Sequence, residues 1–170
     1  MTLRPSPVPE SLAGMPPAAA ARLVAGLVDR WVRRAVPPDG DPRLSVWTYD
    51  AARASLAGQW TSPARAARRL DGWMRADVVE RLAAALRPGE GHRAPMLVWE
   101  RTGRPEARKA DLAWYAAWRA WSRGEPAAFL VVTRAGWMSL PDGTVGRRQV
   151  RRPASQSQVW TGSLECIRSR

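Results

Sequence analysis

Several residue types are almost missing from this sequence. One cysteine, Cys166, excludes an internal disulfide and a zinc site built from cysteines. One histidine, His92, sits in a Gly-rich, loop-like stretch (Gly89, Gly91) and reads as a solvated side chain, and nothing in the pattern points to Ser-His-Asp chemistry. No apolar run approaches the ~20 residues that a membrane-spanning helix needs. The first residues, Arg4-Pro5-Ser6-Pro7-Val8-Pro9, lack the continuous apolar stretch of a secretory signal, so the chain reads as cytoplasmic, with no membrane partner. Lysine is the most informative shortage. All but one of the 27 basic side chains are Arg, and the exception is Lys109.

What is present points to a polyanion. Against 15 acidic residues the basic ones leave a formal net charge of +12. Guanidinium groups stay charged and fork onto phosphate oxygens. Such an imbalance favours nucleic acid, DNA ahead of RNA, and otherwise means a solvated basic face or a surface that docks on an acidic protein. Apolar residues make up 45% of the chain, enough for a packed core. Ten Trp residues are core and interface anchors in the plainest reading, and base-stacking rings in the sharper one.

The pattern predicts an α+β or α/β chain, with N-terminal helices ahead of a small mixed sheet that carries a packed amphipathic helix. Residues 1–17 are Pro-rich and extended. Residues 18–73 form a helical part. Ala20, Leu23, Leu27 and Trp31 fall at helical spacing within a helix over 18–35. A short strand over 44–49 comes next. Helices over 51–58 and 63–70 then read as a helix-turn-helix or an ordinary helical hairpin, with Arg65, Arg68 and Arg69 as phosphate contacts on the second. Residues 74–146 form an α/β core. Residues 74–88 fit a helix or the start of a strand. A strand over 95–99, a helix over 106–123, a buried strand over 127–133 and a hairpin around Pro141-Asp142-Gly143 follow. Residues 147–170 are an Arg-rich segment in which Arg147, Arg148, Arg151 and Arg152 are placed to track phosphates.

The stretch 74–134 contains Arg75-Ala76-Asp77-Val78-Val79, then Met96-Leu97-Val98-Trp99-Glu100-Arg101-Thr102, then a helix and an apolar strand. This order resembles the PD-(D/E)xK, restriction-endonuclease-like fold, and within it the nuclease-like half of actinobacterial replication-relaxation proteins. The resemblance implies a magnesium-dependent nuclease in which Asp77 and Glu100 hold the metal and activate a water. Thr102 stands where the motif has Lys, and Lys109 on the following helix is the candidate third catalytic group, with Arg101 and Arg104 as alternatives. Without that chemistry no cofactor is expected. The residues then predict a basic, non-catalytic nucleic-acid-binding protein, or a protein-binding subunit of a larger nucleoprotein assembly, since Trp and Arg are frequent interface anchors.

Overall fold

The computed structural model describes residues 12, 15–33, 40–50, 54–86, 94–123, 125 and 127–148. Its elements form one α+β unit in three layers. A mixed sheet of six strands has helix α1 (Pro17–Arg33) on one face and the remaining helices on the other. Pro16 and Pro17 start α1, where a missing N–H costs nothing. Ala20, Val24, Leu27, Val28 and Trp31 form its buried stripe.

The strands are β1 (Arg43–Tyr49), β2 (Ala54–Thr61), β3 (Ala94–Glu100), β4 (Ala128–Thr133), β5 (Gly136–Leu140) and β6 (Val145–Arg147). They lie in the order β2-β1-β3-β4-β5-β6. Only the β3–β4 pair is parallel. A parallel pair needs a crossover, which helix α4 (Lys109–Trp121) provides. Alternation along β3 divides its side chains between two cores. Met96 and Val98 pack toward α1, while Leu97 and Trp99 pack toward α4 and helix α3 (Gly72–Ala83). On the α4 side the indoles of Trp60, Trp99 and Trp114 meet, with ring centroids 5.3–5.7 Å apart. Tyr49 is buried at the far end of β1, and desolvation pushes its phenol above the ordinary tyrosine value.

Residues 54–61 correct the expected helix over 51–58. They form a strand paired antiparallel with β1, with a register shift between Val46 and Trp47. Alanine-rich composition favours a helix only weakly, and pairing overrides it. Gly58 contributes, because its Cα faces the α3 end closely: an added Cβ would lie 3.3 Å from both the Leu82 carbonyl and the Ala85 side chain. The short helix α2 (Ala64–Arg69) therefore follows a strand, and the expected helix pair over 51–58 and 63–70 is not formed. Residues 74–83 resolve as helix within α3. The expected division at residue 73 is also bridged, since β1 and β2 share their sheet with β3 to β6.

The β5–β6 hairpin depends on a close approach. Trp137 lies directly opposite Gly146, and a Cβ on Gly146 would collide with the Trp137 indole. Gly146→Ala forces that buried ring to move. The expected cost is about 1–3 kcal/mol, read as a lower thermal midpoint. An unchanged midpoint would show that the indole has another place to go.

Candidate nucleic-acid interface

Register determines which charges meet. Arg43 pairs with Glu100, Thr61 pairs with Arg43, and the Arg101 amide donates to the Val132 carbonyl. Gly136 pairs with Arg147, and the Arg148 amide donates to the Ala135 carbonyl. The start of β1, the ends of β2, β3, β4 and β6, and the β4–β5 turn thus share one end of the sheet. It is the carboxyl end of the parallel pair, where open α/β sheets generally form their crevices. α2 begins just beyond β2 at this end. α4 starts here after the loop 101–108, and the last turn of α1 reaches it through Arg30.

Arg65, Arg68, Arg69, Arg104, Arg108, Lys109, Arg134, Arg147 and Arg148 are all exposed here. Two of the acids nearby are engaged in structure, while Glu106 is exposed among the arginines. Asp41 Oδ1 accepts from the Ala64 amide at 3.0 Å and so starts α2. Asp29 pairs with Arg148 at 3.7 Å, tying α1 to the end of β6.

The loop 101–108 is built around one buried guanidinium. Arg101 uses all five N–H donors. Nε and Nη2 hold Asp111 at 2.7 and 2.6 Å; Nη1 donates to the Thr102 and Arg104 carbonyls at 3.0 Å; Nη2 also donates to the Glu106 carbonyl at 2.7 Å. Asp111 accepts further from Trp99 Nε1 at 3.0 Å and from the Arg108 amide at 2.9 Å. Gly103, at φ +97°, makes the turn, and the Arg108 guanidinium folds over it where a Cβ would stand. Arg101 is thereby committed to the loop, while Arg104 and Arg108 are left facing water. A cleft of about 520 Å³ opens on one side of the loop, lined by Arg68, Arg108, Trp99 and Trp114 among others. A groove of about 1010 Å³ opens on the other, lined by Arg104, Glu106, Val145 and Arg147.

The structure does not bring the three expected catalytic groups together. Asp77 is not at a strand end. It sits on the outer side of α3 with its side chain 56% exposed, and accepts from Arg81 Nε at 3.0 Å, one turn along the helix. Glu100 does end β3, but it follows Met96 and Val98 toward α1 and is fully buried. There Arg30 Nη2 lies 3.2 Å from Oε1, and Arg43 Nε 3.5 Å from Oε2. Arg30 also lies over the Trp47 ring, 4.4 Å from its centroid. The sheet therefore separates the two carboxylates. Lys109 opens α4 on the face away from Glu100, exposed to solvent. The period of two along β3 accounts for the outcome, because one residue earlier or later would have faced α3.

No family model, curated protein or solved structure matches this chain. Of the expected phosphate contacts, Arg65, Arg68, Arg69, Arg147 and Arg148 gather at this end, whereas Arg151 and Arg152 lie outside the described residues. Sequence reading missed Arg104, Arg108 and Arg134 as members of the same surface. Their spacing after two apolar strands was a usable signal, since a basic residue just past a buried strand marks the strand's end.

Proposed function

We propose that this protein binds nucleic acid, with the phosphate backbone lying across the basic end of the sheet. The observation that carries the reading is convergence. Arg side chains from α2, the 101–108 loop, the β4–β5 turn and the end of β6 face solvent at one end of the sheet, although they are far apart in sequence. Guanidinium forks suit phosphate oxygens, and the two clefts beside the loop offer a concave path for a strand. No helix among the described residues is long and apolar enough to cross a membrane. The proposal is binding without strand cleavage, because Asp77 and Glu100 stand on opposite sides of the sheet and each already has an Arg partner.

Titration of a labelled DNA against salt tests this. The logarithm of affinity should fall linearly with the logarithm of salt concentration, and each phosphate contact removed should reduce the slope by about 0.9 for a duplex or 0.7 for a single strand. Replacing Arg68, Arg104 and Arg108 together with Gln is expected to reduce the slope by about 2–3 and to weaken binding at low salt on the order of tenfold or more. An unchanged slope would move the phosphate path elsewhere. No binding of DNA or RNA at ~50 mM salt would remove the proposal.

A further inference from the structure

Among the described residues, Trp73 is the one Trp left exposed. It is 87% accessible, while Trp31, Trp99, Trp114 and Trp118 are buried. It stands in the first turn of α3, and Met74 beside it is 51% exposed. Asp71, just before it, caps the helix by accepting from the Met74 amide at 2.8 Å. Immediately upstream, α2 presents Arg65, Arg68 and Arg69, none of which pairs with a carboxylate among the described residues. So few residues separate Arg69 from Trp73 that their Cα atoms are at most roughly 14 Å apart. Arg68 also lines the 520 Å³ cleft, which links this corner to the basic end of the sheet.

We infer that Trp73 is a stacking platform for an unpaired base, with the α2 arginines holding the phosphates that flank it. The inference rests on the nucleic-acid reading above and names its substrate class, a single-stranded segment. In a duplex each base face is covered by its neighbours. An unpaired base exposes a π-face whatever its identity, so an exposed indole beside unpaired guanidinium groups can bind it without reading sequence. Arg adds a cation to the same stack. An anchor for a protein partner would sit in a patch depleted of charge, whereas this ring lies in a charged stretch, four residues after Arg69, two after Asp71 and one helical turn before Asp77.

The test uses the full chain with two fluorescent probes: an oligothymidylate of roughly 20 nucleotides, longer than the site of one small binding domain, and a duplex of the same length. Trp73→Ala is expected to weaken oligothymidylate binding by about tenfold, the loss of one base–aromatic stack, and to leave duplex binding within about twofold. Trp73→Phe, which keeps a ring, should retain most of the affinity. Because the side chain is exposed, the thermal midpoint of both variants should match that of the parent. Equal oligothymidylate affinity for Trp73→Ala and the parent, or equal losses on strand and duplex, overturns the platform and leaves the phosphate reading standing. Failure of the parent to bind either probe at ~50 mM salt removes both.

Discussion

Asp111→Ala should be the most damaging single change in the described fold, lowering stability by about 3–5 kcal/mol. Both Asp111 oxygens are buried and face two donors of Arg101, the Trp99 indole and the Arg108 amide. Removing the carboxylate leaves a guanidinium that is 7% exposed with no counter-charge. The uncompensated charge, more than the lost bonds, sets the size of the effect. For a chain of this length the thermal midpoint should drop by roughly 2–4 °C per kcal/mol. Asp111→Asn should recover little, because its amide turns a donor toward Arg101. Arg101→Met combined with Asp111→Leu should cost much less than either single change, as often holds when a buried pair is replaced together. Denaturant melts check the series. A loss near 1 kcal/mol for Asp111→Ala, the size of an ordinary neutral hydrogen bond, would mean that water reaches the pair. Binding adds a second readout. The loop carries Arg104 and Arg108, so a folded double variant should bind nucleic acid more weakly although neither of those side chains is altered.

Helices with one apolar stripe were legible in the sequence. The spacing of Ala20, Leu27 and Trp31 located α1, and that of Trp114, Ala117 and Trp118 located α4, because a 3.6-residue period survives in local sequence. The unbroken run over 127–133 announced a strand buried on both faces, found as Ala128–Thr133. β2 was illegible for the opposite reason. Its residues carry neither period clearly, and only pairing with β1 decides their state. The basic end was half legible. Arg65, Arg68, Arg69, Arg147 and Arg148 stand out as local clusters. Their convergence with Arg104, Arg108 and Arg134 depends on strand register, which no local window contains. Trp73 was invisible in the same way, since ten Trp residues look alike until burial separates one from the rest.

Glu100 is where the sequence pattern and the packing disagree most sharply, and stability can separate them. A carboxylate kept for catalysis is commonly held at some cost to the fold, so removing it leaves stability unchanged or raises it. A carboxylate that neutralises buried arginines behaves the other way. Arg30 is 33% exposed and can turn toward water once its partner is gone, whereas Arg43 is 8% exposed and cannot do so easily. Glu100→Ala should therefore destabilise the fold by about 3 kcal/mol, near the lower bound for breaking a buried pair. Glu100→Gln should also destabilise it, since shape is kept and charge is lost. Replacing Arg43 with Met and Glu100 with Leu together should return much of the stability, because the buried charges leave as a pair. Urea denaturation of the three variants checks this through the midpoint at constant slope. A midpoint for Glu100→Ala equal to or above that of the parent would mean that Glu100 is held for something other than Arg43. The order of events along β3 explains the expected result. Alternation sends residue 100 toward α1, where α1 meets it with Arg30 and β1 meets it with Arg43, so its buried carboxylate faces two guanidinium groups.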